Sequence, residues 1–359
     1  MAIEVSAREL LRLREFTQRI DPPATGTVAE TVRHLLAVQA QDFANALWAV
    51  GLRTKGSTRS DVLAALESGE VVRTLPMRGT LHFVPAEDLR WMLTLTSARS
   101  LQSAKTRFEN LGLDPDTLKR AAAITRTELD GGAMNRDQFM KLLAGNGIPP
   151  DGQRGYHVIF YLTQLSLVCW GPPSGTQQAL VLVDDWIPAQ KIPTREASLA
   201  QFALRYFGSH GPATERDFAW WTKLTLADVR AAMIACGADL TELTHTGTSY
   251  WISSSELDAA SGRKPVSAVH ALPGFDEYLL GYRDRLLPLA AEHSQRIVPG
   301  SNGIFLPVIT SRGRVVGTWR RAARSKTDAI EPEHFAAATA AEHVSFARAA
   351  SAYAKFASR

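Results

Sequence analysis

A chain of 359 residues, 45% hydrophobic and 21% charged, can bury a real core and divide into roughly two to four units, which excludes a disordered or fibrous protein. Its formal charge of +4 and pI near 9.1 lean toward polyanionic partners, an argument that gains weight only where the cations cluster. Cys169 and Cys236 are far apart and in no C-x-x-C, so neither a disulfide framework nor a structural zinc site is expected, and a reducing cytoplasm fits.

From the amino end, Met1-Ala2-Ile3-Glu4-Val5 leads straight into a helix signal without a basic and apolar leader, so no secretory signal is expected. Helix starts are legible because several carry a capping box, in which a hydroxyl and an acid three residues on satisfy orphan backbone donors reciprocally. Ser6-Ala7-Arg8-Glu9, Thr27-Val28-Ala29-Glu30, Thr214-Glu215-Arg216-Asp217 and Thr225-Leu226-Ala227-Asp228 all match. The pattern predicts helices over Ser6 to Arg19, Thr27 to about Val38, Asn45 to Gly51 and Ser60 to Ser68, then a two-stranded ribbon from Val71 to Val84.

The order recurs with helices over Asp116 to Glu128, Asn135 to Ala144 and Gly155 to Leu167, and a ribbon from Val168 to Val183 around Gly171-Pro172-Pro173-Ser174-Gly175. That turn also interrupts the longest nearly uncharged stretch, which is therefore too broken to span a bilayer, for which ~20 continuous apolar residues are needed. A third round has helices over Glu196 to Phe207, Thr214 to Trp221 and Thr225 to Cys236, then a ribbon from Leu240 to Ile252. Three rounds of helix, helix, helix and ribbon describe three tandem winged-helix units, expected over residues 1–110, 111–190 and 191–262. Such a unit can set a helix in the major groove of DNA, but winged helices also serve as protein docking modules and as scaffold.

After Gly262-Arg263-Lys264-Pro265 the pattern turns to strands, and residues 263–359 are expected to form a small β-barrel or curved sheet with a terminal helix, Glu331 to Ser358, laid on it. The fold class is thus α+β. Ser311-Arg312-Gly313-Arg314 has hairpin-turn chemistry. Between Thr310 and Thr327 stand Arg312, Arg314, Arg320, Arg321, Arg324 and Lys326 with no acid, well placed to meet phosphates, and a hairpin tipped by arginine can enter a minor groove. A solvated basic edge that prevents strand association would carry the same charges.

The chain has no H-E-x-x-H, no P-C-x-x-C, no Walker-type loop, no G-x-G-x-x-G and no G-x-S-x-G, so metal hydrolysis, zinc deamination, nucleotide-driven work and serine hydrolysis lose their usual anchors. No metal and no cofactor are expected. His82 and His270 lie in strand-like runs and read as hydrogen-bonded core histidines; Trp48, Trp91, Trp220 and Trp221 lie in helical patterns and read as core. Asp276-Glu277, at a turn after Pro273-Gly274-Phe275 where side chains can converge, supplies a candidate site carboxylate, taken as Asp276.

Two glutamines one residue apart, Gln39-Ala40-Gln41, follow the apolar stretch from Val32 to Val38. With Arg78-Gly79-Thr80-Leu81-His82-Phe83-Val84 and Leu272-Pro273-Gly274-Phe275-Asp276-Glu277-Tyr278-Leu279-Leu280-Gly281-Tyr282, this segment resembles the bacterial family of winged-helix DNA glycosylases over essentially the whole chain. The resemblance implies a C-shaped molecule of three winged helices and a β-barrel, excision of N7-alkylated purines from double-stranded DNA, unhooking of interstrand crosslinks in one branch, and a cytoplasmic, nucleoid-associated repair enzyme. The family's signature of glutamine, hydrophobic residue, then glutamine or aspartate falls on Gln39 and Gln41, with the small Ala40 between them.

An N7-alkylguanine is already cationic and departs with little help from a general acid. What remains is to present water to C1′ and stabilise an oxocarbenium-like sugar, and a glutamine amide, both donor and acceptor, orients water without strongly removing its proton. On a helix, residues two apart point roughly 200° from each other, whereas extended chain puts them on one face, so Gln39 and Gln41 are expected at a helix end in a non-helical segment facing a cleft. No lysine adjoins the pair as a Schiff-base nucleophile, which favours a monofunctional enzyme. Nothing demands more than a monomer. The alternatives are a winged-helix regulator without catalysis, which would prefer one undamaged sequence, and a protein-binding scaffold, which would lack salt-dependent DNA affinity.

Overall fold

The computed structural model describes residues 3–174, 177–265, 269–301, 303–322 and 329–358. The chain is mixed α+β and divides into two compact units. One joins Met1–Val62 to Leu199–Arg359, and the other is Leu63–Ser198.

In the first unit the helix Ala7–Thr17 is central. Leu11 packs with Leu272, Tyr278, Val308 and Val315, while Leu10, Leu13 and Phe16 pack with Leu243 and Ile252, so the helix is apolar on more than one side and runs through the interior. On one side lies the antiparallel ribbon Leu240–His245 and Thr248–Ser253, to which Ile3–Glu4 adds in parallel. On the other lies an antiparallel sheet in the order Val269–Leu272, Val308–Ser311, Arg314–Arg321, Ile330–His334. The terminal helix Ala340–Ala357 packs on Val269–Leu272, and Tyr353 meets Trp48 and Trp319 with ring centroids 5.3 and 5.2 Å apart.

The structure departs from the sequence pattern in two places. Among the described residues the sheet is open rather than a closed barrel: its outer strands, Val269–Leu272 and Ile330–His334, do not pair, and four short strands are too few to curl round and meet. The terminal helix begins at Ala340, not near Glu331, because residues 330–334 form the sheet edge, a place where Pro332 lacks no needed donor.

Caps set the helix starts. Thr27 and Thr214 make complete capping boxes with Glu30 and Asp217. Ser6 and Thr225 make only the first half: the Glu9 carboxylate is drawn to Arg12, at 2.6 and 2.9 Å, and the Asp228 carboxylate to the Thr225 hydroxyl.

The second unit is built on a sheet in the order Thr80–Pro85, Val71–Met77, Val168–Ser174, Gln177–Leu182, Ala133–Met134. Helices Pro115–Glu128, Arg136–Gly145 and Arg154–Gln164 cover a core of Leu118, Phe139, Leu143, Val158 and Leu162. The helix Leu89–Asn110 is not announced by the sequence pattern: its first half is buried and its second mostly exposed, so no single apolar stripe runs its length.

Candidate active site

Gln39-Ala40-Gln41 sits between two helices. The helix Val28–Leu35 stops at Leu36, whose φ of 69° and ψ of −48° close a γ-turn in which the Ala37 N–H donates to the Leu35 carbonyl at 2.8 Å. A leucine in this conformation is strained, and its full burial is what holds it there. The chain leaves the turn extended as Val38–Gln39, and Asp42 then caps the helix Phe43–Gly51 by accepting from the Asn45 N–H at 3.0 Å. The pair therefore stands in a non-helical segment at a helix end, as the spacing predicts. Gln39 is 9% exposed, Ala40 is buried and Gln41 is exposed. The Gln39 Oε1 is buried and accepts no hydrogen bond among the described residues, an arrangement that costs about 1–3 kcal/mol unless a donor reaches it.

The backbone of Gln39 is fixed from outside its own segment. Its N–H donates to Glu277 Oε1 at 2.9 Å, and the other carboxylate oxygen accepts from Trp221 Nε1 at 2.9 Å and lies 3.5 Å from His210 Nε2. Glu277 is 1% exposed. Gln18 Nε2 donates to the Glu277 carbonyl at 3.3 Å and to Tyr282 Oη at 3.0 Å, and His210 stacks on Tyr206 with centroids 4.9 Å apart.

Asp276, expected as a site carboxylate, has an internal role instead. Its two oxygens take Arg53 Nη1 and Nη2 at 2.8 and 2.7 Å, both side chains are 1% exposed, and Oδ1 also accepts from the Tyr278 N–H at 2.9 Å. Arg53 completes its donors on the Gln18 and Ala49 carbonyls and Gln18 Oε1. The other acid of the Asp276-Glu277 turn, Glu277, is the one that meets the glutamine segment.

Tyr278 turns the other way: its hydroxyl donates to the Gly313 carbonyl at 2.6 Å. Gly313 and Arg312, with φ of 79° and 50°, form the two-residue loop of the hairpin whose strands pair Ser311 with Arg314. Arg312 and Arg314 are exposed and form no ion pair among the described residues. Arg320 pairs with Glu331 at 2.8 Å, and the Arg321 guanidinium lies 5.8 Å from the Tyr353 ring centroid. Arg324 and Lys326 lie outside the described residues.

Beneath the hairpin tip, Glu15 is 4% exposed and accepts from the Gly313 backbone. Burial, then the Asp21 carboxylate, pushes its pKa up to about 8. His270 Nε2 lies 3.8 Å from Glu15 Oε1 and makes no hydrogen bond among the described residues; burial and the Arg53 charge push its pKa down to about 4. His270 is thus half-buried rather than a core residue, and among the described residues it is not bonded at Nε2. His82 is fully buried, with Nδ1 2.8 Å from the Thr80 carbonyl and Nε2 2.9 Å from Arg78 Nη2. Trp48, Trp91 and Trp221 are core residues, each with its indole N–H bonded.

A family model described as DNA glycosylase AlkZ-like matches residues 32–356. The chain belongs to the AlkZ-like DNA glycosylase family. It is 27% identical to the interstrand DNA cross-link repair glycosylase of Streptomyces sahachiroi, over 88% of each chain. Its fold is that of the Streptomyces sahachiroi DNA glycosylase AlkZ, with a TM-score of 0.85, 23% identity, and coverage of 99% of this chain and 97% of that one. Family membership makes the protein an enzyme of the glycosylase class, whose reaction is cleavage of N-glycosyl bonds in DNA. Among the described residues no helix is long and apolar enough to cross a membrane, and no group of His, Cys, Asp and Glu could hold a metal ion.

Proposed function

We propose that this AlkZ-like protein is a monofunctional DNA glycosylase that hydrolyses the N-glycosidic bond of N7-alkylated, cationic guanine in double-stranded DNA and unhooks interstrand crosslinks of that chemistry. The observation that carries the reading is the Gln39 carboxamide oxygen: buried, without a donor among the described residues, and borne on a segment whose backbone is held by Glu277. An oxygen so placed accepts from one hydroxyl of a water and turns its lone pair toward C1′, while the exposed Gln41 amide, two residues along extended chain, supports the water or the sugar. Neither amide removes a proton strongly, so the pair suits a leaving group activated by alkylation and a normal base poorly. The cationic purine leaves as a neutral base, and the reaction calls for no cofactor.

Arg312 and Arg314 on their hairpin, with Arg320, Arg321, Arg324 and Lys326, supply phosphate contacts in this reading. Residues 1–110, 111–190 and 191–262 act as three winged-helix modules and 263–359 as the sheet that carries the hairpin, in a cytoplasmic, nucleoid-associated monomer. The test is release of 7-methylguanine from methylated duplex DNA under single-turnover conditions. Gln39→Ala should slow it by about 10²–10³-fold, the cost of losing one preorganised polar group at a reacting centre. Unchanged release from a variant with both Gln39→Ala and Gln41→Ala defeats the assignment.

A further inference from the structure

We infer that Glu277 is a positioning residue for the glycosylase reaction, acting through the backbone of Gln39; the inference rests on the proposed role of Gln39. The γ-turn at Leu36 releases the chain from its helix, and the two-residue strand that follows is too short to hold a side chain in one place. Glu277 supplies the missing constraint. Its carboxylate bridges the Gln39 N–H and the Trp221 indole N–H, both at 2.9 Å, and Trp221 is itself fully buried against Phe202, Tyr206 and His210. The carboxylate is in turn placed by its own backbone, where Gln18 and the Gly281 N–H both donate to the Glu277 carbonyl. A rigid aromatic cluster is thereby connected through one acid to the peptide that bears the amide oxygen meant to orient water.

The chemistry of the bridge requires a carboxylate. Two donors converge on it, and only an acceptor-only group satisfies both; an amide of the same size offers one oxygen and turns its NH₂ toward the other donor. Glu277→Gln therefore preserves volume and burial while opposing one of the two bonds, and Trp221→Phe removes the second donor and leaves the first in place.

Single-turnover release of 7-methylguanine and equilibrium binding of the same duplex, measured on the full chain, separate the possibilities. Glu277→Gln should lower the rate at saturating enzyme at least tenfold while DNA affinity stays within twofold, because Glu277 is 1% exposed and so buried away from any surface that DNA could reach. Trp221→Phe should lower the rate in the same direction, and the double variant should be no slower than Glu277→Gln, since both act through one bridge. Retained rates in both single variants overturn the inference, as does an equal fall of rate and affinity accompanied by a lowered Tm, which is what a merely structural role produces. A wild-type protein that releases no base, or one indifferent to Gln39→Ala, refutes the proposed function instead, so the two failures are told apart.

Discussion

At the scale of single residues, the two acids at 276 and 277 divide the work: Asp276 neutralises Arg53, Glu277 holds the glutamine segment. Glu15 differs from both, a buried acid whose Oε1 is unbonded among the described residues and whose pKa is about 8 instead of the ordinary 4.5. The folded state holds this proton over a pH range in which the unfolded chain has released it, so the stability it lends is complete below about 4.5 and is lost as pH rises through about 8. Glu15→Gln removes the titration. Between pH 6.5 and 8 the variant should gain on the wild type by up to about 1.4 kcal/mol per pH unit in urea denaturation. Parallel pH curves would show that Glu15 is ionised in the fold.

At the scale of elements, the same hairpin chemistry occurs twice with different surroundings. Arg78-Gly79 and Arg312-Gly313 both carry positive φ at the two loop positions. Gly79 has open space where a Cβ would stand, whereas a Cβ on Gly313 would come within 2.7 Å of Leu11 Cβ and 2.9 Å of Tyr278 Oη. Gly79→Ala should therefore cost only the left-handed backbone penalty, about 1–2 kcal/mol. Gly313→Ala should cost about 1–3 kcal/mol more from overpacking against the central helix. Equal losses in urea denaturation would mean that the Gly313 contact relaxes freely. The contrast shows what distinguishes the second hairpin: its tip is seated on Leu11, Glu15 and Tyr278, so Arg312 and Arg314 project from a fixed base.

At the scale of the whole molecule, a charge of +4 is small, and its effect depends on where the cations are free. Arg320 is offset by Glu331, while Arg312 and Arg314 are exposed without ion pairs among the described residues. If both meet phosphates, each contributes about 0.9 to the slope of log affinity against log salt. A variant with Arg312→Ala and Arg314→Ala should flatten that slope by about 2 and weaken damaged and undamaged duplex alike. An unaltered slope in filter binding or anisotropy would locate the DNA contacts elsewhere.

The sequence alone determined what local physics governs. Caps at Thr27, Thr214 and Asn135 set helix starts, Gly and Arg pairs set hairpin turns, and the spacing of Gln39 and Gln41 excluded a helix beneath them. It could not show the helix Leu89–Asn110, whose exposure changes along its length, nor that Pro332 lies in an edge strand instead of preceding a helix turn, nor that the sheet stays open. Above all it could not assign the acids at 276 and 277, because their partners Arg53, Gln39 and Trp221 are 223, 238 and 56 residues away. Contacts at that separation leave no periodicity and no spacing in the chain; only the tertiary structure, by closing those loops around the helix Ala7–Thr17, decided which carboxylate is paired and which one holds the glutamine.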